Sequence, residues 1–133
     1  MRKFLVDTDI LADFFHDRAY AKELLSALRK RGEIFVSILS ITELRTGFTP
    51  KQAQFFIPRL YRIVHISPIT IRSAELAGEL RYRYQTLGRL LSTVDTLIAA
   101  TAIVEECDLV TGNRKDFPMS EVKIYPLKKA RAN

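Results

Sequence analysis

The sequence predicts an α/β fold, a three-layer sandwich around a mostly parallel sheet. Short apolar runs alternate with longer segments of helical spacing, the pattern of strands joined by crossover helices. Phe4–Val6 and Ile34–Ile38 read as buried strands. Thr93 to Glu106 reads as a helix apolar on nearly every side, as an element packed between others must be.

The elements follow in order. Phe4–Val6 is strand-like and ends on Asp7, and Thr8-Asp9 before Ile10-Leu11 reads as a helix start with Asp9 as N-cap. Tyr20, Leu24, Leu25 and Leu28 keep helical spacing until Gly32 stops them. After the Ile34–Ile38 strand, Ser40 to Thr46 forms a short helix ended by Gly47. Pro50 opens a helical stretch towards Leu60, interrupted or ended near Pro58. Ile63–Ile66 is a third strand, followed by a Ser67-Pro68 turn. Thr70 opens a long helix that Gly88 closes. Beyond the apolar helix, Leu109-Val110 is a short strand and Val122–Ile124 a last candidate.

A chain of 133 residues is the size of one domain, expected over 1–127 with a basic tail at 128–133. The 47% hydrophobic and 27% charged content suit a globular protein. Cys107 is the only cysteine, which excludes an intramolecular disulfide and a cysteine-based zinc cage, and its apolar setting favours an inert thiol. The apolar stretch before Asp7 is too short for a signal-peptide core, so a cytoplasmic location is expected. A net charge of +6 suits a polyanionic partner. Tyr82 and Tyr84 interleave one basic cluster, although Tyr84 continues the apolar face of Leu76, Ala77 and Leu80.

Asp7 ends a buried strand at a strand-to-helix turn, the carboxyl edge of a parallel sheet, where ligand sites form. Glu43 and Asp95 occupy comparable settings. Two carboxylates about 4 Å apart repel by roughly 4 kcal/mol at an effective dielectric of about 20. A divalent cation with oxygen ligands, Mg²⁺ or Mn²⁺, removes that repulsion and can activate water at a phosphate. Ser40-Ile41-Thr42-Glu43 and Ser92-Thr93-Val94-Asp95 also match capping boxes, so a purely structural role stands beside the metal one for both acids. Asp7 precedes the expected cap and has no such alternative. Thr111-Gly112-Asn113, with Asp116 after it, follows another strand; Asn113 could position a water and Asp116 act as an outer acid, or the segment is a plain turn.

Phe-Leu-Val-Asp-Thr-Asp at 4–9, Val-Ser-Ile-Leu-Ser-Ile-Thr-Glu-Leu-Arg-Thr-Gly at 36–47, Asp-Thr-Leu-Ile-Ala-Ala-Thr-Ala at 95–102 and Leu-Val-Thr-Gly-Asn-Arg-Lys-Asp-Phe at 109–117 carry a resemblance across nearly the whole chain. The sequence resembles PIN-domain proteins, and among them the ribonuclease toxins of VapBC-type toxin–antitoxin pairs. The resemblance implies an Mg²⁺- or Mn²⁺-dependent endoribonuclease acting on RNA, with Asp7, Glu43 and Asp95 as metal ligands. It places Thr8 near the metal and Thr111 in support of the acidic pocket. It also implies a homodimer and an antitoxin whose tail covers the site, where a basic residue mimics the metal. Asp9 stands where the family commonly has Asn, and Asn113 where some members carry a fourth acid.

Other readings compete. A metal-free ribonuclease needs a general acid and base, usually with histidine. His16 lies in a polar stretch and His65 inside a strand, which suits surface and structural roles. A non-toxin RNA-processing nuclease, or a domain that binds RNA or a partner without cutting, completes the set.

Overall fold

The structure, a computed structural model, describes residues 1–127; the basic tail at 128–133 lies outside the described residues. Four strands, β1 (Arg2–Val6), β2 (Gly32–Ser37), β3 (His65–Ser67) and β4 (Asp108–Val110), form one sheet in the order β3-β2-β1-β4, every pair parallel. Ile124 adds an isolated bridge to Leu109, so the expected last strand is reduced to one pairing.

Six helices connect the strands: α1 (Thr8–Phe15), α2 (Ala19–Arg31), α3 (Ile38–Gly47), α4 (Pro50–Ile63), α5 (Ile71–Thr86) and α6 (Thr93–Val104). Alternation along the strands divides the core into two layers. Phe4, Val6, Ile34, Val36 and Val110 pack with residues of α1 to α4, including Leu11, Leu28, Leu44 and Leu60. Leu5 and Leu109 face the other way, onto Leu80, Ile98, Ala99 and Ala102 of α5 and α6. This is the three-layer α/β sandwich expected.

Ile38, expected at the end of the second strand, opens α3 instead, because Ser37 caps the helix there, and the α4–β3 junction also differs. Helix α4 runs through Pro58 to Ile63, and strand β3 starts only at His65. Pro58 is exposed, and the carbonyl of exposed Gln54 that loses its amide partner can face water, which makes the proline tolerable. Gly32 also does more than stop α2. It pairs with Arg2 in the sheet, and a Cβ there would lie 2.0 Å from the Arg2 carbonyl oxygen.

No helix among the described residues is long and apolar enough to cross a membrane. His65 sits on the edge strand with its ring 4.9 Å from that of Phe35 and its Nε2 3.2 Å from Glu33 Oε2. His16 forms the C-cap of α1.

Candidate active site

The parallel strands deliver four chain segments to one edge of the sheet. Asp7 follows β1 directly, and its N–H donates to the Val110 carbonyl at 2.9 Å, continuing the β1–β4 pairing. Its side chain is buried. Oδ1 accepts from the Thr8 N–H and Oδ2 from the Thr111 hydroxyl, both at 2.8 Å.

Asp7, and not Asp9, is the N-cap of α1, which corrects the expectation that Asp7 had no capping role. The bond reaches the first helical N–H, whereas a cap usually serves the second or third. Asp9 falls in the first turn, where its Oδ2 accepts from the Gly112 N–H at 2.9 Å and ties α1 to the turn after β4.

Burial pushes the Asp7 carboxyl up from 3.8 to about 7; the charge of Asp9 adds to this, and that of Asp95 adds less. The bonds from Thr111 and Thr8 pull the other way without offsetting the burial.

Glu43 comes from α3, which starts one turn earlier than the sequence suggested. Ser37 is its N-cap, with Oγ accepting from the Leu39 N–H at 3.1 Å. Ser40 therefore lies inside the helix, fully buried, and the Ser40–Glu43 capping box does not form. Glu43 is exposed, and its Oε1 lies 2.5 Å from the Thr8 hydroxyl, which is also 2.9 Å from Ser40 Oγ.

Asp95 is half-buried in the first turn of α6. Here the capping reading holds in part: the Asp95 N–H donates to Ser92 Oγ at 3.0 Å. Burial again raises the carboxyl, helped by the charges of Asp116, Glu43 and Asp9 and opposed by a hydrogen bond with Ser92. Cap and site acid are compatible roles here, because the backbone amide does the capping.

Thr111 follows β4 and is fully buried; besides donating to Asp7, its Oγ1 accepts from the Asn113 N–H at 3.0 Å. Asn113 thus joins through its backbone, and it precedes a short 3₁₀ turn (Arg114–Asp116) without a side-chain cap bond. Asp116 on that turn is near enough for its charge to be felt at Asp95. Arg89 Nη2 donates to the Lys115 carbonyl at 2.5 Å, fastening the loop between α5 and α6 to the same turn.

The structure thus brings Asp7, Glu43 and Asp95 to one edge, with Asp116, the expected outer acid, near Asp95, and adds Asp9, which the sequence presents as a cap. Among the described residues, no three Asp, Glu, His or Cys side chains form a ready-made metal cage as they stand. Cys107 lies elsewhere, buried, its thiol pushed up to about 11 by burial. Tyr84 packs into the second core layer and Tyr82 is exposed.

A family model, the PIN domain, matches residues 4–123. The chain belongs to the PIN-domain family. Among curated relatives of this PIN domain, Ribonuclease VapC10 of Mycobacterium tuberculosis is 33% identical over 117 residues, 88% of this chain and 87% of its own. Ribonuclease VapC19 of the same organism is 36% identical over 116 residues, covering 86% of this chain and 92% of its own. Among solved structures, VapBC2 of Rickettsia felis bound to a promoter DNA fragment gives a TM-score of 0.85 at 23% identity, covering 95% of this chain and 99% of that one. This last likeness shows the fold: a PIN-type sandwich.

Proposed function

We propose that this PIN domain is a divalent-metal-dependent endoribonuclease and the toxin of a toxin–antitoxin pair. One observation carries the chemistry: a buried carboxylate, Asp7, kept at the carboxyl edge among the charges of Asp9 and Asp95. A divalent cation at this edge would offset both the burial of that charge and its repulsion by the neighbouring acids. The donor set is all oxygen, which suits Mg²⁺ or Mn²⁺. Mg²⁺ commonly takes one or two carboxylates and keeps several waters, so a preassembled three-carboxylate cage is not required.

Asp7, Glu43 and Asp95 would hold the ion, with Asp116 as an outer acid and Asn113 contributing through the turn. Bound there, the ion supplies charge neutralisation at a phosphate and a more acidic water. The chain's own residues set the stage. Thr8 and Thr111 fix the Asp7 oxygens, and Thr8 meets Glu43. Exposed Arg114 and Lys115 beside Asp116 offer phosphate contacts, which position an RNA backbone without reading its bases.

The relatives are named ribonucleases, and the solved neighbours include a toxin–antitoxin complex from Klebsiella pneumoniae. These support an antitoxin partner for this chain. A groove of about 350 Å³ suits it, lined by Phe14, Phe15, Phe56 and Ile63, with Arg59 and Arg62 on one side and Lys22 paired to Asp17 on the other. An apolar segment with an acidic flank towards Arg59 and Arg62 fits there. A homodimer in the cytoplasm completes the reading, and sedimentation of the isolated chain checks the dimer.

The deciding experiment is cleavage of RNA with and without EDTA. Loss on chelation with recovery in Mn²⁺, and no cleavage by Asp7→Asn, supports the proposal. Cleavage that survives chelation removes the metal from it. Expression without a partner separates toxin from RNA-processing enzyme: unimpaired growth favours the latter.

A further inference from the structure

Glu43 is the exposed acid of the three expected ligands. It has three side-chain torsions free to rotate, and a side chain of that kind loses entropy when fixed. Its carboxylate is hydrogen-bonded by Thr8, whose Oγ1 lies 2.5 Å away. Thr8 in turn opens α1, directly after Asp7, so its hydroxyl links the β1–α1 turn to α3.

The same hydroxyl lies 2.9 Å from Ser40 Oγ. Ser40 is fully buried and sits three residues before Glu43, on the same helical face. A hydroxyl has one proton, so Thr8 can donate fully to only one acceptor at a time. The charged acceptor at the shorter distance takes it when Glu43 points inward. Ser40 is the buried neutral partner within reach of the same hydroxyl.

We propose that Thr8 and Ser40 are positioning residues for Glu43: a two-hydroxyl brace, anchored by buried Ser40, that sets where the Glu43 carboxylate sits across the β1–α1 turn. The inference rests on the metal reading above. Groups that orient ligands affect ion affinity by about tenfold to a hundredfold without touching the ion.

The test is calorimetric titration of Mn²⁺ into the purified chain. Thr8→Val is expected to weaken binding by about tenfold, and Ser40→Ala several-fold, with melting temperatures within a few degrees of the parent. Thr8→Ser, which keeps the hydroxyl, binds as the parent does. The double variant Thr8→Val/Ser40→Ala is no weaker than Thr8→Val alone, because the brace acts through one oxygen. Parent-like affinity in both single variants, or losses that multiply in the double, overturns the brace while leaving the metal site standing. A parent chain that binds no Mn²⁺ overturns the metal reading and the brace with it.

Discussion

Replacing Asp7 by Asn should stabilise the metal-free protein while abolishing its cleavage. The folded state holds the Asp7 proton up to about 7 against an ordinary 3.8. Above pH 7 that difference corresponds to about 4 kcal/mol opposing folding. The penalty is absent below the unfolded value and grows as pH rises through the interval between the two. Asn removes the charge but not every contact. Its amide oxygen can keep the Thr8 N–H bond, while its NH₂ forces the Thr111 hydroxyl to turn away, a loss of about 1 kcal/mol. The net gain is about 2–3 kcal/mol, or roughly 6–10 °C in Tm for a domain of this size. Thermal melts in EDTA at pH 8 and pH 4.5 measure it: a large gain at pH 8 that shrinks at pH 4.5. Added Mn²⁺ should raise the parent's Tm and not the variant's, because only the parent binds it. An Asn variant no more stable than the parent at pH 8, or a gain of equal size at both pH values, would refute the reasoning.

Thr111→Val removes the donor that lowers the Asp7 carboxyl, so its destabilisation of about 1–2 kcal/mol should be larger at pH 8 than at pH 5, read from melts in EDTA. Gly32→Ala places a Cβ against the Arg2 carbonyl and should cost about 1–3 kcal/mol or more by denaturant titration, with no pH dependence. Cys107, buried and with its thiol pushed up to about 11, should react with a thiol reagent at pH 8 only slowly when folded and fast in urea.

The layers were legible because strand burial and helix spacing leave different periods in the sequence, and the strand ends that carry Asp7 and Thr111 were legible with them. Local hydrogen bonding was not. Ser37 and Ser40 offer the same capping chemistry one turn apart, and only the length of β2 decides that Ser37 caps α3. The consequence is functional: Ser40 is freed to face Thr8. Asp7 and Asp9 pose the same ambiguity two residues apart. There the β1–β4 pairing decides, because it extends through the Asp7 N–H and leaves Asp7 as the last residue before the helix. Pro58 shows the reverse error, where a strong local breaker yields to an exposed position.

Finding Asp7 in a cap position does not weaken its claim as the central acid, because the two roles make different demands. A cap needs only a short polar side chain, and Ser, Thr or Asn at this buried position would serve without a charge. The charge brings the burial penalty and the repulsion from Asp9, neither of which the Thr8 and Thr111 bonds offset. Ser37 and Ser92 cap their helices with neutral hydroxyls, and Thr49 and Thr70 do the same with capping boxes. Among these caps of the described helices, the single carboxylate stands where β1 meets the acidic edge. Capping accounts for the position of Asp7, and the proposed cation accounts for its charge.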